Sequence, residues 1–136
     1  MPYLYYCSPA WCNAGNSTLK PAEKLFSNIN KFLSKNDASL NNLLNFNSTI
    51  SIFKAVHNLS PIYLSQKLNF IKNTHSHRTR SSSNNKLVTQ RSGNKYFNRT
   101  FPYTAPILWN NLPNNIRNID SILQFKGATS KYFGIK

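Results

Sequence analysis

The stretch Phe53-Lys54-Ala55-Val56-His57-Asn58-Leu59-Ser60-Pro61-Ile62-Tyr63-Leu64 decides the fold class. It begins inside a helical pattern over 49–58, in which Ile50, Phe53, Val56 and His57 share one side and Lys54 and Asn58 lie on the polar side. Ser60-Pro61 then restarts the chain. Serine is a favoured N-cap, and proline suits the first helical position because its missing N–H has no partner to lose there. Ile62, Leu64, Leu68 and Phe70 carry the second pattern to about residue 71. Two helices joined by so short a link make an α-helical hairpin.

Upstream, the pattern predicts a helix over 19–35. Pro21 fits its first turn, Glu23 complements the helix dipole, and Leu25, Phe26, Ile29, Phe32 and Leu33 fall on one face. That face serves as core or as a partner-binding surface. After the polar break Lys35-Asn36-Asp37 a weaker helical stretch spans 39–45, with Leu40, Leu43 and Leu44. Residues 1–18 read as an aromatic lead-in followed by a turn at 13–17.

Downstream, residues 71–100 differ in kind. They carry Lys72, Arg78, Arg80, Lys86, Arg91, Lys95 and Arg99 with His75 and His77, and no acid. Leu87-Val88-Thr89 and Lys95-Tyr96-Phe97 flank Ser92-Gly93-Asn94, which predicts a short β-hairpin near 86–98. In the last third, Thr104 is placed to cap a short helix ended by Pro113. Ser121-Ile122-Leu123-Gln124 has capping-box spacing and opens a helix to about Phe133, with Ile122, Phe125 and Phe133 on its apolar face. The expected fold is therefore mainly α: a small helical bundle or hairpin, a basic loop with a short β-hairpin, and a C-terminal helical segment. The segments are 1–70, 71–100 and 101–136.

Charge narrows the function. The 136 residues carry a formal net charge of +14, and Glu23, Asp37 and Asp120 are the only acids. Paired-carboxylate hydrolysis, a multi-Asp calcium loop and two-metal phosphoryl transfer all lack their ligands. Residues 1–70 hold six lysines against two acids, net +4, whereas residues 71–136 hold eleven bases against one acid, net +10. His57 with Asp37 or Asp120 has no serine in a strained turn to activate. Cys7 and Cys12 with the distant His75 and His77 make a poor zinc set, and the four isolated glycines form no phosphate loop. No cofactor, metal or small-molecule substrate is expected. With no apolar run longer than Tyr3–Cys7 and no signal-peptide pattern, a chain inside the cell, cytoplasmic or nuclear and away from membranes, is expected, and the four Asn-x-Ser/Thr sequons are then not acceptors.

What remains is electrostatics. Clustered cations bind phosphate backbones by releasing counterions, so Lys72, Arg78, Arg80, Arg91, Lys95 and Arg99 are the candidate phosphate contacts. Tyr96, Phe97, Phe101, Tyr103 and the two histidines are candidate stacking partners for unpaired bases. Trp109 and Leu112 are expected in the core rather than against a base.

Three stretches carry a resemblance. Tyr6-Cys7-Ser8-Pro9-Ala10-Trp11, the run Phe53 to Leu64, and Ala105-Pro106-Ile107-Leu108-Trp109-Asn110-Asn111-Leu112-Pro113 resemble, in order, the carboxy-terminal region of non-LTR (LINE-type, jockey-like) retrotransposon reverse transcriptases. There a segment like YCSPVW follows the catalytic palm, a helix like FKALHGLAPSYL comes next, and the tail resembles APKLWNSLPLELRSAPSLSSFKKLL. The resemblance implies that 1–70 corresponds to thumb-like and connector helices that hold a template–primer duplex. It implies that 71–136 contacts element RNA or target DNA. The palm aspartates and the endonuclease of such enzymes have no counterpart here, so it implies a truncated, non-catalytic fragment. The stretch between Phe32 and Ile50 is also shorter and less basic than in full-length relatives, as after an internal deletion. Three rivals stand beside this reading: an inert relic, a protein-interaction module using Leu25–Leu33, and a small secreted glycoprotein with a Cys7–Cys12 bridge.

Overall fold

The computed structural model describes residues 11–32, 39–74 and 84–135. Among these, six α-helices form: α1 Asn16–Phe32, α2 Leu40–Val56, α3 Ile62–Ser65, α4 Phe101–Asn110, α5 Asn114–Arg117 and α6 Ile122–Tyr132. Single 3₁₀ turns occupy Ile71–Asn73 and Phe97–Arg99. The chain is mainly α, as its apolar periodicity predicts.

The central element is α2. The two helical stretches expected at 39–45 and 49–58 are one uninterrupted helix. Ser39 caps it, its hydroxyl accepting from the Asn42 amide at 3.3 Å. At the other end Asn58 adopts φ +56°, the Leu59 amide donates to the Lys54 carbonyl and the Asn58 amide to that of Ala55. This is a Schellman closure with asparagine, a tolerated left-handed residue, at the position glycine usually holds. Helix α6 ends the same way through Gly134 at φ +66°, with Ile135 donating to Ser130. In the middle of α2 the Thr49 and Ser51 hydroxyls donate to the carbonyls of Asn45 and Asn47, which satisfies these polar side chains within the helix.

Two clusters bury the apolar side chains. The larger gathers Ile52 and Phe53 from α2, Leu68 and Leu87 from the connecting segments, Trp109 from α4, Leu112, Ile116 from α5 and Phe125 from α6. Phe125 lies between two rings, 4.2 Å from Phe53 and 5.9 Å from Trp109, centroid to centroid. His57 stacks on Phe53 at 4.1 Å. Trp109 and Leu112 are core residues, as expected from their setting. The smaller cluster packs Phe26 of α1 against Leu40, Leu43 and Leu44 at the start of α2. Of the apolar face expected on α1, Phe26 is therefore used internally, whereas Leu25 is 60% exposed.

Several expectations are corrected. Helix α1 starts at Asn16, three residues early, because the Gly15 carbonyl already accepts from Thr18 and Leu19; Pro21 then lies inside the helix rather than in its first turn. Ser60 is not an N-cap. Pro61 holds that position, and the buried Ser60 hydroxyl has no hydrogen-bond partner. The helix that follows stops at Ser65 rather than near 71. Helix α4 begins at Phe101, before Thr104, and Asn110 ends it ahead of Pro113, which starts the single turn of α5. Ser121 does hold the N-cap position of α6 but without a side-chain bond. The β-hairpin near 86–98 does not form: among the described residues there is no strand, and Leu87 pairs elsewhere.

Candidate nucleic-acid interface

The basic stretch is anchored at a narrow neck. Phe70 and Leu87 form an isolated antiparallel bridge. The Val88 amide donates to the Asn69 carbonyl at 2.8 Å, and the Ile71 amide to that of Lys86 at 2.9 Å. The chain thus leaves the core at Phe70 and returns to it at Leu87, so residues 71–86 begin and end at one place. This pairing is what displaces the expected hairpin. A buried Leu87 gains apolar burial against Trp109 and Phe125 that a partner at Lys95–Phe97 has no counterpart for.

The neck's other edge is completed by a side chain. The Leu87 amide donates to Asn110 Oδ1 at 2.9 Å, and Asn110 Nδ2 donates to the Leu87 carbonyl at 2.8 Å. One carboxamide therefore supplies the donor and acceptor that a neighbouring strand would present, which an amide alone among side chains has in the right form. Two residues upstream, Trp109 Nε1 donates to the Asn85 carbonyl at 2.9 Å, and Asn85 Nδ2 donates to Asn118 Oδ1 at 3.0 Å. Asn85 holds φ +48°, a conformation asparagine accepts more readily than most residues. Arg117 stabilises the clamp from behind: its guanidinium donates to the Asn110 carbonyl at 3.4 Å, at the negative end of α4. Burial lowers the Arg117 pKa, and its Nε has no partner.

None of Asn85, Asn110 or Asn118 is distinguishable by local pattern from the other eighteen asparagines. Their partners lie 23 to 33 residues away, so no helical or strand spacing marks them. The signal present was the Trp109-Asn110 pair inside the resemblance to the LINE-type tail.

Beyond the neck, four of the six candidate phosphate contacts are among the described residues. Lys72, Arg91, Lys95 and Arg99 are all exposed. Lys72 Nζ sits 4.8 Å from the centroid of the Phe70 ring, a cation–π contact on the neck itself. Lys95 and Arg99 bracket the 3₁₀ turn Phe97–Arg99, and Tyr96 between them is 81% exposed. The Arg99 guanidinium packs against Gly15, where an added Cβ would meet it at 3.3 Å. Arg91 lies in the irregular stretch before this turn. Arg78 and Arg80, with His75 and His77, lie outside the described residues.

Among the candidate stacking rings, Tyr96 alone of those described has an open face. Phe97 and Tyr103 are half-buried and meet edge to face at 6.0 Å, and Phe101 packs against the larger core. Of the two described acids, Asp120 is exposed beyond α5, and Glu23 accepts from Asn41 Nδ2 at 3.2 Å. Neither belongs to the basic stretch. Among the described residues no helix is long and apolar enough to cross a membrane. Comparison with family models, curated proteins and solved structures returns no match.

Proposed function

We propose that this chain is a non-catalytic fragment of the carboxy-terminal region of a LINE-type retrotransposon reverse transcriptase, and that it binds RNA or DNA electrostatically with weak sequence preference. Template–primer duplex or element RNA is the partner that the resemblance implies, reached inside the cell, in cytoplasm or nucleus. The observation that carries the reading is that Lys72, Arg91, Lys95, Arg99 and Tyr96 are each exposed, in a stretch of sequence without one acid. Such side chains offer cations to phosphates and one open ring to a base.

Mobility shifts or anisotropy over a salt series test this. Binding is expected to weaken linearly in log salt, and Arg78→Ala, Arg80→Ala and Arg91→Ala together are expected to flatten the slope by about two, at roughly 0.7 per phosphate for single strands. An unchanged slope removes the basic stretch as the contact. No binding to RNA or DNA at low salt leaves the inert-relic reading in its place.

A further inference from the structure

A second feature lies against α4. The Trp11–Gly15 segment is tied to α2 by Cys12 Sγ and Ser48 Oγ at 3.1 Å, and to α4 by Asn13 Nδ2 donating to Thr104 Oγ1 at 3.1 Å. Between these two links is a cavity of about 190 Å³. Ile52, Ala105 and Leu108 form apolar wall, and the amides of Asn13, Asn45 and Asn111 with the hydroxyls of Ser48 and Thr104 form polar wall. Asn45 and Asn111 are exposed at the mouth.

Three properties define what fits. The volume is below the usual range for drug-sized ligands and a little above the roughly 150 Å³ that accepts a single benzene ring, so one small ring fits inside it. Among the described residues no charged side chain lines the cavity, which favours a ligand that is neutral where it is enclosed. Carboxamides offer donor and acceptor side by side, so the ligand's edge carries both. A pyrimidine nucleobase meets all three conditions.

The charge comes at the rim. Asn13 is two residues from Gly15, hence within about 8 Å of it along the backbone, and the Arg99 guanidinium lies against Gly15. Arg99 is also two residues before Phe101, itself on the cavity wall. A cation thus stands about one nucleotide's reach from a neutral, amide-edged slot.

We infer that this cavity receives one unpaired pyrimidine base of a bound strand, read by Asn45 and Asn111, with the attached phosphate on Arg99. The inference rests on the nucleic-acid reading above and adds to it a base site separate from Tyr96.

The test compares the full chain's affinity for a labelled ten-residue oligothymidylate with that for a ten-residue abasic strand of equal charge. The wild-type chain is expected to prefer the base-bearing strand by about tenfold, the scale of one good amide–base contact. The double variant Asn45→Ala, Asn111→Ala changes two exposed residues and is expected to lose most of that preference. Tyr96→Ala is expected to retain most of it. A double variant with the wild-type preference, or a Tyr96→Ala chain with none, overturns the slot while salt-dependent binding stands. Failure to bind either strand overturns the slot and the nucleic-acid reading together.

Discussion

The aromatic stack between α2, α4 and α6 and the neck at Phe70 and Leu87 sit side by side but are held by different physics. In the stack, Phe53, Trp109 and Phe125 are at most 1% exposed and contribute by removing apolar surface from water, about 1.5–3 kcal/mol for each fully buried ring. At the neck Leu87 contributes fully in that way and the half-buried Phe70 in part. The rest is geometry: a two-residue bridge, one carboxamide standing in for a strand and an indole N–H on a carbonyl. Each such hydrogen bond adds only about 0.5–1.5 kcal/mol net, but a buried backbone group left unpaired costs more. The stack therefore supplies stability, and the neck fixes where residues 71–86 begin and end.

This contrast orders the expected effects of substitution. Phe125→Ala empties the centre of the stack and is expected to cost about 3–5 kcal/mol, read as a large fall in the urea midpoint or outright loss of cooperative unfolding. A cost below about 1 kcal/mol would contradict the stack as the main source of stability. Asn110→Ala leaves the Leu87 N–H and C=O without side-chain partners and is expected to cost about 1–3 kcal/mol. Its distinguishing mark is faster amide exchange at Leu87 than at Phe53. If both sites accelerate alike, the neck is not a separate unit.

Smaller effects sharpen the same comparison. Gly127 lies exposed in the middle of α6, and an added Cβ meets nothing within 4 Å. Gly127→Ala is expected to raise stability by about 0.5–1 kcal/mol through helix propensity alone. Smallest of all is the triple change Arg91→Gln, Lys95→Gln, Arg99→Gln, expected to shift unfolding by no more than about 0.5 kcal/mol because all three side chains are exposed. A larger loss, measured by thermal melting, means that these cations support the fold instead of being available to a partner.

The helices were legible because their signals are local. The stretch expected from 39 starts at Leu40 and Ser121 before Ile122 marks a start that the structure keeps, and the i, i+3, i+4 spacing of Leu40, Leu43 and Leu44 marks a buried face. The hairpin misreading has an equally physical cause. Val88-Thr89 and Gly93 have the local character of a strand and a turn, but pairing preference was decided by where Leu87 could be buried. The single helix α2 was read as two because its polar middle, Asn45 to Ser51, looks like a break. Burial of Leu43 and Leu44 ahead of that segment and of Thr49, Ile52 and Phe53 along and after it holds it helical. For the candidate interface, the cations and Tyr96 were legible from composition, whereas the clamp and the amide-edged cavity were not.

By itself the amino-acid order determined the helical class, the concentration of positive charge after residue 70 and the scarcity of carboxylates, because each is a property of composition or of neighbours within one turn. The tertiary structure alone decided that Leu87 meets Phe70, that Asn110 serves as a strand's edge and that three asparagines converge on one cavity. Leu87 is drawn in by the shared burial with Trp109 and Phe125, and Asn13 by the hydrogen bonds of its segment to Ser48 and Thr104; contacts between residues so far apart in the chain leave no periodic trace in it.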